Sequence, residues 1–251
     1  MLKQERDGAT AVLTLDYPER RNALAMPMRA ALIEAFEAFE GDLGVRAVVM
    51  TGGGGTFCAG GDISGMNSAD LLAGRERFRT THKLVRLLIK SRLPIVAAIE
   101  GFAVGAGLSL ALCCDTVVAA ADAKLAAGFG RVGLVADLGL LHTLPARVGQ
   151  GRARQVLLYG EQMTGEAAER IGLVDHVVPK GEALATAMER ARLFAAAAPL
   201  PVALTKQYLA AGLDAALDWE REVQSSLFMT ADHVEGRTAF MEKRAPVFTG
   251  R

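Results

Sequence analysis

Two stretches of the sequence are built alike: 48–62, which reads VVMTGGGGTFCAGGD, and 95–107, which reads IVAAIEGFAVGAG. Each begins as an apolar run typical of a buried parallel strand, and each ends in small residues. Small residues let a backbone approach a ligand closely, and N–H groups at two such turns can converge on one oxygen atom. Tight packing at the strand ends explains the same pattern, so an oxyanion hole and a packing role both remain open at this point.

Strands and helices alternate on both sides of these stretches. Apolar periodicity predicts strands over 10–15, 45–51, 94–99, 116–119 and within VDHVVP (174–179), and helices over 28–39, 70–91, 108–114, 138–147, 152–158, 167–171, 182–198, 201–211, 214–229 and 231–243. Because strands are confined to the earlier part, we expect an α/β core over 1–195 and an all-helical C-terminal region over 196–251.

Composition limits the class of protein. The 251 residues are 51% hydrophobic and carry no formal net charge, which argues against a nucleic-acid-binding protein. Three cysteines without CxxC spacing fit a reducing compartment, and neither a signal peptide nor a membrane segment is recognisable. We therefore expect a cytoplasmic protein that binds neither membrane nor nucleic acid.

Other glycine-rich and catalytic motifs are incomplete. The run at 52–57 lacks the Gly-Lys-Ser/Thr of a phosphate loop, and Gly105-Ala106-Gly107 is half of a dinucleotide fingerprint, with Leu110 at the third glycine. No Gly-x-Ser-x-Gly and no metal-ligand spacing occurs, so we expect no metal site. An NAD(P)-dependent oxidoreductase remains an alternative on the half fingerprint alone.

Five motifs occur in the order found in one family. They are PERRNAL (18–24), FCAGGDI (57–63), PIVAAIEGFAVGAG (94–107), MTGEAAERIGLVDHVV (163–178) and EGRTAFMEKRAPVFTG (235–250). From about residue 10 to the end, the chain resembles the enoyl-CoA hydratase/isomerase (crotonase) superfamily. One departure is Met163, where Leu or Ile is usual.

This resemblance implies a crotonase-type spiral of ββα units with a C-terminal helical trimerisation region. It also implies a homotrimer or a dimer of trimers. The implied substrate is a thioester of coenzyme A, so coenzyme A enters as part of the substrate and no separate cofactor is expected.

The resemblance also assigns residues to the thioester. It places the oxyanion donors at the N–H groups of Gly61 and Ala106, and a main-chain donor tolerates Ala where Gly is usual. The path of adenine and pantetheine would run along these residues: Ala23, Ala59, Gly61, Asp62 and Ile63. For Asp62 a turn-forming side chain is a second interpretation, compatible with the first.

The glutamates of the family's hydratases have no counterpart at ungapped spacing. Those enzymes position water with two glutamates, which would fall on Ser109 and Phe129. Water addition by that mechanism therefore lacks its acid–base pair.

Asp137 is the only ionisable residue of GLVADLGLL (133–141). The stretch resembles the Gly-Leu-x-Pro-Asp-x-Gly of ring-opening isomerases in phenylacetate breakdown, although Ala136 replaces the proline. A carboxyl group in apolar surroundings has a raised pKa, so Asp137 can take a proton from one carbon and return it to another. A double-bond isomerase is favoured; the alternative for Asp137 is an N-cap of the following helix.

His82 leaves two further interpretations open. It lies on the apolar face of a predicted helix and is typical of a core histidine. However, hydrolytic aryl-CoA dehalogenases of the superfamily carry a histidine base at this spacing from the proline at 94, together with an aspartate matching Asp137. One observation argues against a dehalogenase: those enzymes carry a tryptophan near the halide, and Phe129 occupies the matching position here. A non-catalytic acyl-CoA-binding protein is the third alternative.

Overall fold

The computed structural model describes residues 1–66 and 70–251. Its strands are β1 (Leu2–Asp7), β2 (Thr10–Leu15), β3 (Ala47–Gly52), β4 (Ile95–Ile99), β5 (Phe102–Val104), β6 (Thr116–Ala120), β7 (Lys124–Ala126), β8 (Met163–Thr164) and β9 (His176–Val178). Its helices are α1 (Met26–Gly41), α2 (Leu71–Ile89), α3 (Ala106–Leu112), α4 (Leu140–Tyr159), α5 (Gly165–Arg170), α6 (Ala183–Ala196), α7 (Pro199–Leu209), α8 (Leu213–Leu227) and α9 (Ala231–Glu242). Within the described ranges, the helices are all too short or too polar to cross a bilayer.

The main sheet has the strand order β1-β2-β3-β4-β6-β9. Its pairs are parallel except for β1 and β2, which form an antiparallel hairpin. Strands alternate their side chains between the two faces, so Val49 packs against α6 while Val48 and Met50 belong to the larger core on the other face. Burial on both faces explains why β4 reads as an unbroken apolar run.

A second, smaller sheet has the order β5-β7-β8 and receives the chain directly after strands of the main sheet. The chain runs from β4 through β5 into α3, and from β6 through β7 towards α4, which makes two successive ββα units. Each short strand carries the chain from the end of a long buried strand to the start of a helix. The predicted α/β core, followed after β9 by helices only, is confirmed.

Several elements differ from those predicted. Sequence periodicity missed β1, a mostly exposed edge strand of polar composition, and the two- and three-residue strands β5, β7 and β8, which are too short for a period to register. The helix predicted from 138 begins at Leu140, because Leu138 and Gly139 adopt left-handed φ angles of 53° and 73°. The predicted helices 138–147 and 152–158 form one element, α4, with a break at Gly149.

The C-terminal helices are only partly a surface region. Among their apolar residues, Leu213, Leu217 and Phe228 are buried, whereas Leu209 and Phe240 are exposed. Helix α8 packs along α2 and therefore reaches the core. The division at 195 and 196 stays a prediction.

Candidate functional site

A cavity of about 500 Å³ lies beside the carboxyl ends of the central strands. Its walls come from these segments: 19–23, 59–66, 104–106, 126–137, 160–162 and 240–241. Both sequence stretches that are built alike contribute to it. The volume suits a small-molecule site.

The buried side chain of Asn22 joins residues 18–24, which form one wall of the cavity, to the turn that follows β3. Its amide nitrogen donates to the carbonyls of Gly53 and Thr56 at 2.9 and 2.6 Å, and its oxygen accepts from the N–H of Tyr17 at 2.8 Å. Because both ends of the amide are satisfied, Asn22 holds two loops together without leaving a buried polar atom unpaired.

The two predicted oxyanion donors line the same cavity. A β-carbon placed on Gly61 would lie 3.9 Å from the β-carbon of Ala106, so the two residues are neighbours. Ala106 is the first residue of α3, where backbone N–H groups have no partner within the helix. Over residues 1–66 and 70–251, neither N–H group has a hydrogen-bond acceptor. Both amides are therefore available to a ligand.

Short strand pairing brings the two donor segments together. The N–H of Cys58 donates to the carbonyl of Phe102 at 2.8 Å, and the N–H of Val104 donates to the carbonyl of Cys58 at 3.1 Å. A β-carbon on Gly107 would lie only 2.2 Å from the Cys58 oxygen. Only glycine permits this approach, so the packing interpretation of this turn is confirmed.

Asp137 lies in the same cavity on the segment that precedes α4. Its side chain is 4% exposed, and its Oδ1 atom has no hydrogen-bond partner among the described residues. The predicted N-cap role is wrong: α4 begins at Leu140, and Gly139 occupies the cap position without any side-chain bond. The Oδ1 atom of Asp137 is therefore free to meet a ligand.

Burial raises the pKa of Asp137 to about 7, and the negative charge of Glu220 acts in the same direction. The guanidinium groups of Arg29 and Arg77 and the side chain of Gln224 act in the opposite direction. A carboxyl group that titrates near neutrality can both accept and return a proton. The raised pKa expected from the apolar sequence around Asp137 is confirmed.

His82 lies in the core. Its Nε2 atom is 2.9 Å from Oε1 of Glu220, both side chains are almost fully buried, and its ring contacts that of Phe78. His82 is not among the residues that line the cavity. The structure therefore places it behind the wall that carries Asp137.

The other predicted site residues lie along the cavity. They are Ala23, Ala59, Gly61, Asp62, Ile63, Ala106 and Asp137. The turn interpretation of Asp62 is confirmed, because its Oδ1 accepts from the N–H of Ser64 at 3.1 Å. Seven of the eight predicted site residues thus line one cavity, and His82 does not.

The positions expected for a hydratase's glutamates have different surroundings. Phe129 lines the cavity, so a carboxylate there would face the ligand. Ser109 is fully buried, and its hydroxyl group donates to the carbonyl of Gly105 at 3.3 Å. Neither residue can serve as a general base for water.

Sequence reasoning missed two buried polar residues of α8, Glu220 and Gln224. They share a helical face with the buried Leu213 and Leu217, at spacings of three and four residues. A carboxylate and an amide on an apolar helix face were the available signal, since such groups require partners.

The mouth of the cavity also carries a charge pattern that the motifs did not predict. Exposed Arg20, Arg21 and Arg131 line it, together with exposed Glu19. The guanidinium of Arg21 lies 5.8 Å from the centre of the Phe102 ring. The entrance is therefore predominantly cationic, whereas the interior is apolar.

Fold and site together define a class: an α/β protein whose cavity, among the described residues, sets two unpaired main-chain amides beside one buried carboxyl group. The family model described as enoyl-CoA hydratase/isomerase matches residues 5–251. The chain belongs to this family, which confirms the resemblance and the crotonase-type fold.

Similar proteins include both isomerases and hydratases. The chain is 38% identical to a 1,2-epoxyphenylacetyl-CoA isomerase of Escherichia coli (strain K12) over 249 residues, covering 95% of this chain and 94% of that one. It is 38% identical to a probable enoyl-CoA hydratase of Rhodobacter capsulatus, covering 100% and 98%. A crystal structure of an enoyl-CoA hydratase from Mycobacterium avium subsp. paratuberculosis K-10 superposes with a TM-score of 0.89 at 31% identity, covering 99% and 98%.

Proposed function

We propose that the protein is an enoyl-CoA isomerase that shifts a carbon–carbon double bond in an acyl thioester of coenzyme A. Asp137 is the acid–base group, and the N–H groups of Gly61 and Ala106 bind the thioester oxygen. The observation that carries the proposal is the Asp137 carboxylate. Among the described residues, it is the only buried carboxylate that lines the cavity, and its Oδ1 atom is unpartnered.

The reaction requires one proton to leave and one to return. The Asp137 carboxylate takes a proton from the α carbon, and the electron pair of that C–H bond moves towards the thioester oxygen. Two fixed N–H donors stabilise this charge, each by about 3–4 kcal/mol. The protonated Asp137 then delivers the proton to the γ carbon as the double bond moves, so no atom is gained or lost.

The absence of a water-activating pair separates this proposal from hydration. Ser109 and Phe129 stand where glutamates would position water, and neither can accept a proton from it. One carboxylate is sufficient for a proton shuttle between two carbons of the same substrate.

The charge pattern supports a substrate with a polyanionic end. Arg20, Arg21 and Arg131 at the mouth suit the phosphates of coenzyme A, because guanidinium groups bind phosphate oxygens in pairs. The small side chains of Ala23 and Ala59 leave room along the wall for the pantetheine arm. No separate cofactor is part of the proposal.

Replacement of the carboxylate tests the proposal directly. Asp137→Asn keeps the shape of the side chain but cannot accept a proton, so we expect loss of isomerase turnover with binding of the CoA thioester retained. Turnover is followed spectroscopically, and binding is measured by calorimetry. Asp122→Asn, which alters an exposed aspartate, is the matched control. Near-normal rates in Asp137→Asn would overturn the assignment.

Deuterium exchange separates the isomerase from a protein that only binds its ligand. In D₂O the wild type should place deuterium at the α or γ carbon of an enoyl-CoA analogue, and a non-catalytic family member would place none. The dehalogenase-like alternative requires His82 to act on water. The engagement of His82 with Glu220 behind the cavity wall does not favour it.

The oligomeric state stays a prediction. Helices α7 to α9 and the chain beyond them expose large apolar side chains at Leu200, Leu204, Tyr208, Leu209, Trp219, Val234, Phe240, Met241 and Val247. Single exposed apolar residues are ordinary, but this many in one region favours burial in a homotrimer or a dimer of trimers.

A further inference from the structure

Helix α8 presents two buried polar side chains to the segment that carries Asp137. Glu220 is 1% exposed and Gln224 is fully buried, and they lie one turn apart on the same face. Burial of a carboxylate or an amide is costly unless its hydrogen bonds are made. The hydrogen-bond partners of Glu220 and Gln224 therefore show the role of this face of α8.

Each side chain binds the main chain on a different side of Asp137. Gln224 donates to the carbonyl of Val135 at 2.9 Å and accepts from its N–H at 3.2 Å. Glu220 accepts from the N–H of Leu138 at 2.9 Å through Oε1 and from the N–H of Gly139 at 2.8 Å through Oε2. Four hydrogen bonds thus span residues 135–139, with Asp137 in the middle.

The backbone after Asp137 needs this support. Leu138 is buried and has a left-handed φ of 53°, a conformation that is unfavourable for a residue with a side chain. The thiol of Cys113 lies 3.6 Å from the Leu138 carbonyl, and Glu220 binds the Leu138 N–H. Such a conformation persists only where surrounding contacts determine it.

The Asp137 carboxylate interacts with the Gln224 side chain, but one of its oxygen atoms stays unpartnered among the described residues. Its Oδ1 atom has no partner in the part of the chain that the structure describes, whereas the N–H groups of Val135, Leu138 and Gly139 on either side donate to side chains of α8. An acid–base group held in this way keeps its orientation and still offers a free oxygen to substrate.

We propose that Glu220 and Gln224 are positioning residues, which we call the α8 clamp: they hold the backbone around Asp137 so that its carboxylate points into the cavity. The proposal rests on the proposed function of Asp137. His82 completes the clamp, because its Nε2 donates to the Glu220 carboxylate at 2.9 Å and fixes that side chain.

The charged groups around Asp137 distinguish the two clamp residues. Burial is the main cause of the raised pKa of Asp137, and the negative charge of Glu220 raises that pKa further. Arg29 of α1, Arg77 of α2 and Gln224 lower it. Loss of the Glu220 charge should therefore move the titration of Asp137 to lower pH. Loss of Gln224 should not move it downward, although both changes loosen the same segment.

The test compares Glu220→Gln with Gln224→Met, which keeps volume but removes both bonds to Val135. Misplacement of a reacting group by about 1 Å costs about a hundredfold in rate, so we expect kcat to fall about tenfold to a hundredfold in both variants, with KM nearly unchanged. The pH midpoint of kcat/KM, near 7 in the wild type because Asp137 must be ionised to accept a proton, should fall only in Glu220→Gln. Glu222→Gln, at an exposed site on the same helix, is the control for both measurements.

A measurement without turnover separates this proposal from that of the isomerase. The ¹³C resonance of the Asp137 carboxyl group, assigned by its loss in Asp137→Asn, is titrated in the free wild type and in Glu220→Gln. A lower midpoint in the variant shows that the Glu220 charge lies beside Asp137, as the clamp requires, even if no enoyl thioester is turned over. An unchanged midpoint together with wild-type kcat overturns it.

A folding control keeps the result interpretable. Thermal unfolding is measured for each variant before kinetics. If Glu220→Gln does not fold, Gln224→Met decides: a fall in kcat at constant KM supports the clamp, and a wild-type kcat overturns it.

Discussion

The cavity is formed by two kinds of region that hold their functional groups in opposite ways. The donor turns at 58–61 and 102–107 hold main-chain amides through short strand pairing between the turns themselves. The segment 135–139 holds a side chain through contacts with α8, and Glu220 lies 82 residues after Leu138. The first region is held by main-chain pairing between its own two turns, and the second by side chains of a distant helix.

This difference determines which substitutions should affect the main-chain amides and which should affect the Asp137 carboxylate. An amide in a paired turn changes only if the backbone moves or the N–H is removed, so most side-chain substitutions should leave it intact. The Asp137 carboxylate depends on its own identity and on at least two side chains elsewhere. The two regions should therefore respond differently to substitution.

The largest effect in the donor turns should come from Ala106→Pro. Proline is well tolerated at the first position of a helix, where Ala106 lies, but it has no N–H to offer the thioester oxygen. Loss of one such donor costs about a hundredfold to a thousandfold in kcat. Steady-state kinetics measures the loss. Ala106→Ser, which keeps the N–H, should remain close to wild type; a folded proline variant with normal kcat would contradict the role.

A smaller effect is expected where the two donor turns touch. In Gly107→Ala the new β-carbon meets the Cys58 oxygen at 2.2 Å and must separate the turns. Such overpacking costs about 1–3 kcal/mol of unfolding free energy, and the displaced donors should lower kcat by about tenfold. Denaturant unfolding and kinetics check both. Gly41→Ala, with no atom within 4 Å of its β-carbon, is the control, and an equal response of the two variants would refute the close-contact explanation.

The smallest effect concerns stability. Because the pKa of Asp137 is about 7 in the folded protein and about 4 in an unfolded chain, the folded state binds more protons between these values. Its contribution to stability is therefore lost as pH rises from about 4 to about 7. Asp137→Asn removes this titration. The melting temperature of the variant minus that of the wild type should therefore increase as pH rises through that window and then stay constant. A constant difference from pH 4 to pH 8 would show that Asp137 is not buried as a charged group above neutrality.

Much of the site could be predicted from short motifs. The glycine-rich ends of β3 and β4 predicted the donor turns, and Asp137 stood out as one ionisable residue among apolar ones. The long strands were predicted because both faces are buried. The strands β5 and β7 were not predicted, because a strand of three residues is too short to show an alternating pattern.

The role of α8 could not be predicted in the same way. Its spacing of Leu213, Leu217, Glu220 and Gln224 shows a buried face with polar members, but a helix period does not say which backbone lies opposite. The N-cap interpretation of Asp137 failed for a related reason. The left-handed Leu138 that delays α4 is held by Glu220, which no local pattern around residue 137 contains.

The sequence by itself determined the family, the α/β class and seven residues that line the cavity, because these follow from motifs contiguous in the chain. Only the tertiary structure decided that His82 pairs with Glu220 behind the cavity wall and that α8 grips the chain on both sides of Asp137. The physical reason is that buried polar groups must find partners, and a folded chain supplies those partners from segments far apart in sequence.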